Sequence, residues 1–279
     1  MIARLVPSPL RSWGCPHRPL LHGARRRRRS IVAVEKPVVE EKVRVERLLD
    51  AQAKAARLFD EIERRAMIRP GVGEQKVSDE IRDLAAEMFG VTRHWHRRIV
   101  RAGENTLQPF REHPPERVIA DDDIVFCDLG PIFEEWEADF GRTFVLSDDP
   151  DKVAVRDALP RVWEAGRDYF DCHPEVTGAE LFDYVVGVAR AEGFEWGSPI
   201  AGHLVGEFPH KKIVGTGVEW YLTPGSNKPM RRKDRGGRLC HWILEIHLVD
   251  RVRRFGGFYE QLLDLRRASA DGPATLHSA

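Results

Sequence analysis

Two short apolar runs in this chain each carry a carboxylate where a buried strand should have none. Residues 124–130 read IVFCDLG and end in Asp128 and Gly130, and 242–250 read WILEIHLVD with Glu245 inside the run. A carboxylate in an apolar strand is costly to bury unless it is paired or bound to a metal. Each run is followed by a second acid: Asp139 lies 11 residues after Asp128, and Glu260 lies 15 after Glu245. A hairpin brings such positions face to face. Carboxylates brought together repel, so something cationic belongs between them. His203, in Gly202-His203-Leu204-Val205-Gly206, offers a nitrogen ligand beside glycines that permit close approach. Four carboxylates and one imidazole suit two hard or borderline divalent ions such as Mn, Co, Fe or Zn. Taken singly, each residue reads as well as a turn acid, a structural loop histidine or a solvated glutamate. The signal lies in the set.

The remaining pattern supplies a frame for the two hairpins. Apolar residues recur at helical spacing from Val45 to Met67, which predicts a helix over 43–69 stopped by Arg69-Pro70-Gly71. Ser78 reads as the cap of a second helix over 79–89 that ends at Gly90. A loop with His94, Trp95 and His96 leads to a short strand at Ile99-Val100. Helices are expected over 152–172 and 177–192, the latter opened by a Thr177/Glu180 capping box. The order is helices, hairpin, helices, hairpin: an α+β unit of two similar halves, each helices plus an antiparallel hairpin.

Composition narrows the class. The 279 residues suffice for one large core, two domains at most. The formal net charge is zero, which argues against a general nucleic-acid or membrane-surface protein. Residues 1–30 hold eight arginines, including the run Arg25 to Arg29, and no acid, leaving 36 basic against 44 acidic side chains beyond them. The acid-free composition loosely resembles an organellar transit peptide, but Pro7, Pro9, Pro16 and Pro19 break any long amphipathic helix, which favours reading 1–41 as a disordered leader and linker. A folded domain is expected over 42–267 and a frayed tail over 268–279. Cys15, Cys127, Cys172 and Cys240 form no CxxC pair and read as thiols of a reducing cytoplasm. No run reaches the ~18–20 apolar residues of a membrane span.

The motifs resemble the pita-bread metallopeptidases, comprising methionine aminopeptidase, aminopeptidase P, prolidase and the non-peptidase creatinase, from about Val45 to Leu265. RAMIRPGVGEQKVSDEI is similar to the family's helix junction. VIADDDIVFCDLG and EADFGRTF are similar to the segments that hold its first two metal ligands, with Asp122 where a glycine is usual. GHLVGEFPH is similar to the histidine segment, and WILEIHLVD and GGFYE to the two glutamate segments. The resemblance implies a pita-bread fold with pseudo-twofold halves and two divalent ions on Asp128, Asp139, His203, Glu245 and Glu260. It also implies a metal-bridging hydroxide as nucleophile, Glu245 as acceptor of its proton, and His210 as the histidine on the substrate side. Arg142-Thr143 resembles the aminopeptidase P and prolidase branch, which implies short peptides with proline in the second position. The sequence departs at Ile246, where the family has proline, and at Phe110-Arg111, where a substrate-binding histidine is expected. It also departs in showing no counterpart of that branch's large N-terminal domain. His113, His96 and Arg142 stand as substrate contacts. The alternatives are a creatinase-like small-molecule hydrolase and a non-catalytic binding protein on the same scaffold. A cytoplasmic location and a homodimer are compatible with either.

Overall fold

Helix α1, Glu41–Arg64, buries Leu48, Ala51, Ala55, Leu58, Phe59 and Ile62, one stripe at helical spacing. The computed structural model describes residues 40–209, 217–234 and 236–266. The expected leader before residue 40 and tail after 267 therefore lie outside the described residues. The helix ends before the predicted 69. Met67 N–H donates to Ile62 O at 3.0 Å and Ala66 N–H to Glu63 O at 2.9 Å, with Ala66 at φ 47°. That is a Schellman turn with alanine in the left-handed position where glycine is usual. Helix α2 spans Glu74–Phe89, with Gly73 as its cap and Ser78 buried inside it, so the predicted Ser78 cap is wrong. Its first turn is held from far along the chain, because Glu116 Oε1 accepts from Gln75 N–H at 3.2 Å. The buried Glu74 carboxylate accepts from the N–H groups of Ala102 at 2.7 Å and Arg117 at 3.1 Å, and from Asn105 Nδ2 at 3.0 Å. It ties α2 to the start of the sheet.

The strands are β1, Ile99–Ala102; β2, Ile124–Leu129; β3, Ile132–Phe133; β4, Trp136–Glu137; and β5, Phe140–Val145. After α3, Pro150–Cys172, and α4, Gly178–Ala191, come β6, Glu195–Trp196; β7, Gly202–Val205; β8, His241–Asp250; and β9, Phe255–Leu262. Asp149 caps α3 by accepting from Asp151 and Lys152 N–H, and the Thr177/Glu180 capping box opens α4. One antiparallel sheet runs β1-β2-β5-β9-β8-β6, with β7 also on β8, and β3-β4 is a small separate hairpin. Val125, Cys127 and Leu129 pack with α1 and α2, while Trp242, Leu244, Ile246 and Leu248 pack with α3 and α4. All four helices thus cover one face of the sheet. The two halves meet where β5 pairs with β9 at Gly141 and Glu260. A Cβ on Gly141 would come within 2.6 Å of the Phe258 ring, so glycine permits this close crossing.

Candidate metal centre

Strand register alone puts the acids in a line. Asp128 pairs with Gly141, Gly141 with Glu260, and Glu260 with Glu245, across β2, β5, β9 and β8. Residues directly opposite share a face, so Asp128, Glu260 and Glu245 project together from the side of the sheet the helices leave free. Asp139 precedes β5 two residues before Gly141. His203 pairs with Ile243, two residues before Glu245 and so on the same face. All five side chains are buried.

Two imidazoles stand among these acids. His203 Nε2 lies 2.9 Å from Asp139 Oδ2 and 3.8 Å from Glu260 Oε1. His96 Nε2 lies 3.1 Å from Asp139 Oδ1 and 3.4 Å from Asp128 Oδ1. Asp139 is the shared member: each of its oxygens faces a different histidine. Burial raises Asp128 to about 6 despite the opposing charge of His96. Burial, reinforced by Asp128 and Asp139 against the pull of His203, carries Glu245 up to about 8. Glu260 is raised well above the carboxylate range by burial and by Asp139. Burial pushes Asp139 upward too, but His96 and His203 outweigh it and hold the carboxyl well below its usual range. Against burial, Asp128 and Asp139 bring His96 up to about 9, and Asp139 and Glu260 raise His203.

The donor set fits divalent ions. Glu245 Oε1 and Glu260 Oε2 are buried and accept no hydrogen bond from any described residue. A buried carboxylate oxygen without a donor is costly unless a cation faces it. Among the described residues, His96, Asp128 and Asp139 form one cluster of potential metal ligands, and Asp139, His203 and Glu260 form another.

The other anticipated contacts fall elsewhere. Arg142 alternates with Gly141 and points to the helix side of the sheet, away from the acids. Its guanidinium sits between the rings of Phe140 and Tyr259, 3.8 Å from each, and donates to Glu260 O at 3.0 Å. It braces the β5–β9 junction. His113 is an exposed loop residue whose Nδ1 lies 2.7 Å from an Arg97 nitrogen, and it is not brought to the acids. His210 lies outside the described residues. Arg97 donates to the carbonyls of Phe110 and Glu112, and Arg98 to Ser78 O, so the guanidiniums of this loop have partners within the chain. Sequence reasoning underrated His96. Its signal was the spacing His94-Trp95-His96 just before a strand that pairs with β2.

Comparison with known proteins agrees with this architecture. The sequence profile of metallopeptidase family M24 matches residues 46–233, a range that holds Asp128, Asp139 and His203 but stops before Glu245 and Glu260. A protein named "Putative Xaa-Pro aminopeptidase" from Mycoplasma pneumoniae (strain ATCC 29342 / M129 / Subtype 1) is 26% identical over 165 residues, 58% of this chain and 44% of that protein. The dipeptidase PepE from Mycobacterium ulcerans superposes with a TM-score of 0.63 at 23% identity, covering 80% of this chain and 56% of its own. The X-Pro aminopeptidase from Thermotoga maritima MSB8 gives 0.62 at 18% identity, covering 83% and 63%. The chain thus spans less than two thirds of each of these three relatives, and the solved ones share its pita-bread fold.

Proposed function

Because the chain belongs to metallopeptidase family M24, we propose that it is a two-metal peptidase that cleaves short peptides with proline in the second position. The observation that carries this reading is the row Asp128, Glu260 and Glu245 on one face, with Asp139 and His203 beside it and two glutamate oxygens lacking any described donor. In this proposal Asp128, Asp139, His203, Glu245 and Glu260 hold the ions, which are drawn from Mn, Co, Fe and Zn. Bound there, two such ions would lower the pKa of a water and polarise a carbonyl. With the ions bound, Glu245 would be ionised and would take up the proton of the attacking water. His210 is assigned to the substrate side by its place in GHLVGEFPH, and it donates a hydrogen bond to the oxygen that gains charge as the carbonyl is attacked. Family membership and the Xaa-Pro relative support the substrate class.

One observation favours a second reading. Phe110 stands where a substrate-binding histidine is expected, and its ring packs edge-on against His96 at 5.4 Å. The missing imidazole removes an expected substrate contact, and this favours a specialised small-molecule hydrolase of the creatinase-like kind as the alternative. Three cysteines, Cys127, Cys172 and Cys240, are free thiols, which supports a cytoplasmic location. Among the described residues no helix is long and apolar enough to cross a membrane. A homodimer is compatible with this proposal.

Turnover of Ala-Pro, Ala-Pro-Ala and Met-Ala-Ser with Mn(II) and Co(II) separates these readings. The Ala-Pro peptides are expected to be cut best. Asp139→Ala is expected to lose an ion and at least about a hundredfold in activity, more than loss of a group behind a ligand costs. If Met-Ala-Ser leads by tenfold, about 1.4 kcal/mol in the transition state, the proline assignment is wrong. If a fully metallated protein cuts none of them, the small-molecule reading takes its place.

A further inference from the structure

We propose that His96 is a sixth metal ligand, so that each of the two ions carries its own imidazole; the inference rests on the two-metal reading above. The two histidines are built alike. His203 Nδ1 lies 2.8 Å from Leu204 O, and His96 Nδ1 lies 2.6 Å from Arg97 O, in each case the carbonyl of the next residue. A carbonyl only accepts, so Nδ1 carries the proton and donates in both rings. With Nδ1 held by the carbonyl, Nε2 is the atom whose proton a cation would replace, the arrangement in which metal-ligating histidines are held. In both, Nε2 points at two carboxyl groups: Asp139 and Glu260 for His203, Asp128 and Asp139 for His96.

The spacing also fits. Two donors about 2.1 Å from one ion are about 3.0 Å apart at a right angle and about 3.4 Å apart at a tetrahedral angle. His96 Nε2 stands at 3.1 Å and 3.4 Å from its two acids. The segment that carries it is pinned against the end of β2. Trp95 N–H donates to Gly130 O at 2.9 Å and Ile132 N–H to Arg93 O at 3.0 Å, with His94 bridged to Pro131. A Cβ on Gly130 would lie 2.3 Å from the His96 ring, so glycine is what lets the ring reach the acids. The Trp95 indole stands edge-on to both imidazoles, 4.4 Å from His96 and 5.0 Å from His203, and sets them apart. A second imidazole moves the site from carboxylate-rich towards mixed nitrogen and oxygen ligation, which favours Zn, Co or Fe over Mn.

The test is metal binding itself, read without turnover. Metal-free wild type, His96→Ala and His203→Ala are titrated with Co(II) by calorimetry, and zinc-loaded wild type is measured by X-ray absorption. The expected result is that His96→Ala weakens one of two ions by about tenfold or more and leaves the other nearly unchanged, with His203→Ala weakening the other. In wild type the zinc spectrum should show an average of about one imidazole per ion, against about one half if His203 ligates alone. The zinc spectrum needs no variant, so it decides the matter if His96→Ala fails to fold. The proposal is overturned if His96→Ala binds both ions as wild type does, or more tightly, or if the spectrum gives one half. If His203→Ala also binds as wild type, the two-metal reading fails on its own account.

Discussion

Asp139 is the residue on which the site turns. It has an imidazole on each oxygen, and it stays ionised where its neighbours Asp128, Glu245 and Glu260 are pushed toward protonation. The metal-free pocket therefore balances its charge with protons. Asp128 is raised to about 6, Glu245 to about 8 and His96 to about 9. Each of these groups holds its proton more firmly folded than unfolded. Their contribution is fully present below the unfolded pKa values and is lost as pH rises through the folded ones. Asp139 has the opposite sign, but its window lies below about pH 4. His94 and His247, lowered by burial to about 4, also have the opposite sign, with a window below about pH 6.5. In EDTA, then, the melting temperature should fall between pH 7 and pH 9, by about 5 °C or more. Saturating divalent metal should remove most of that fall, because the ions replace the protons. A melting temperature that rises over that range in EDTA would contradict this account of the pocket.

At the scale of elements, the helices end and begin for reasons of unequal range. Ala66 sits in a left-handed turn that costs a Cβ residue about 1–2 kcal/mol. Ala66→Gly should therefore stabilise the protein by about 0.5–1 kcal/mol in urea unfolding, and a loss of stability would show that the turn is not strained. The periodicity of α1, the α4 capping box and both hairpins were legible because short-range spacing sets them. The start of α2 was not, since the partner of its first turn is Glu116, 41 residues away from Gln75. The acids of the site were legible as types in order. Their convergence depends on register, above all on the pairing of Gly141 with Glu260, for which the sequence offers only a glycine. The placement of Arg142 on the helix side was not legible because a single step of strand alternation moves a side chain to the other face. His96 was underrated because its carboxylate partners, Asp128 and Asp139, lie 32 and 43 residues further on.

For the molecule as a whole, the two halves supply equivalent parts. Each gives two helices to one face of the sheet and a hairpin with acids to the other, and they join through one β5–β9 pair braced by Arg142. The five proposed ligands all come from the segment 128–260, so the arginine-rich residues 1–30 are not needed to assemble the site. Deleting them should leave the melting temperature and metal content unchanged, since their composition offers no apolar face to bury. A fall of several degrees in calorimetry would show that they belong to the fold. The central claim, that one pocket holds two ions, is tested most directly by anomalous scattering from crystals grown with Mn(II). The account predicts two peaks about 3.5–4 Å apart, within bonding distance of Asp128, Asp139, His203, Glu245 and Glu260. No peak in this pocket, or peaks only at other sites, would contradict it.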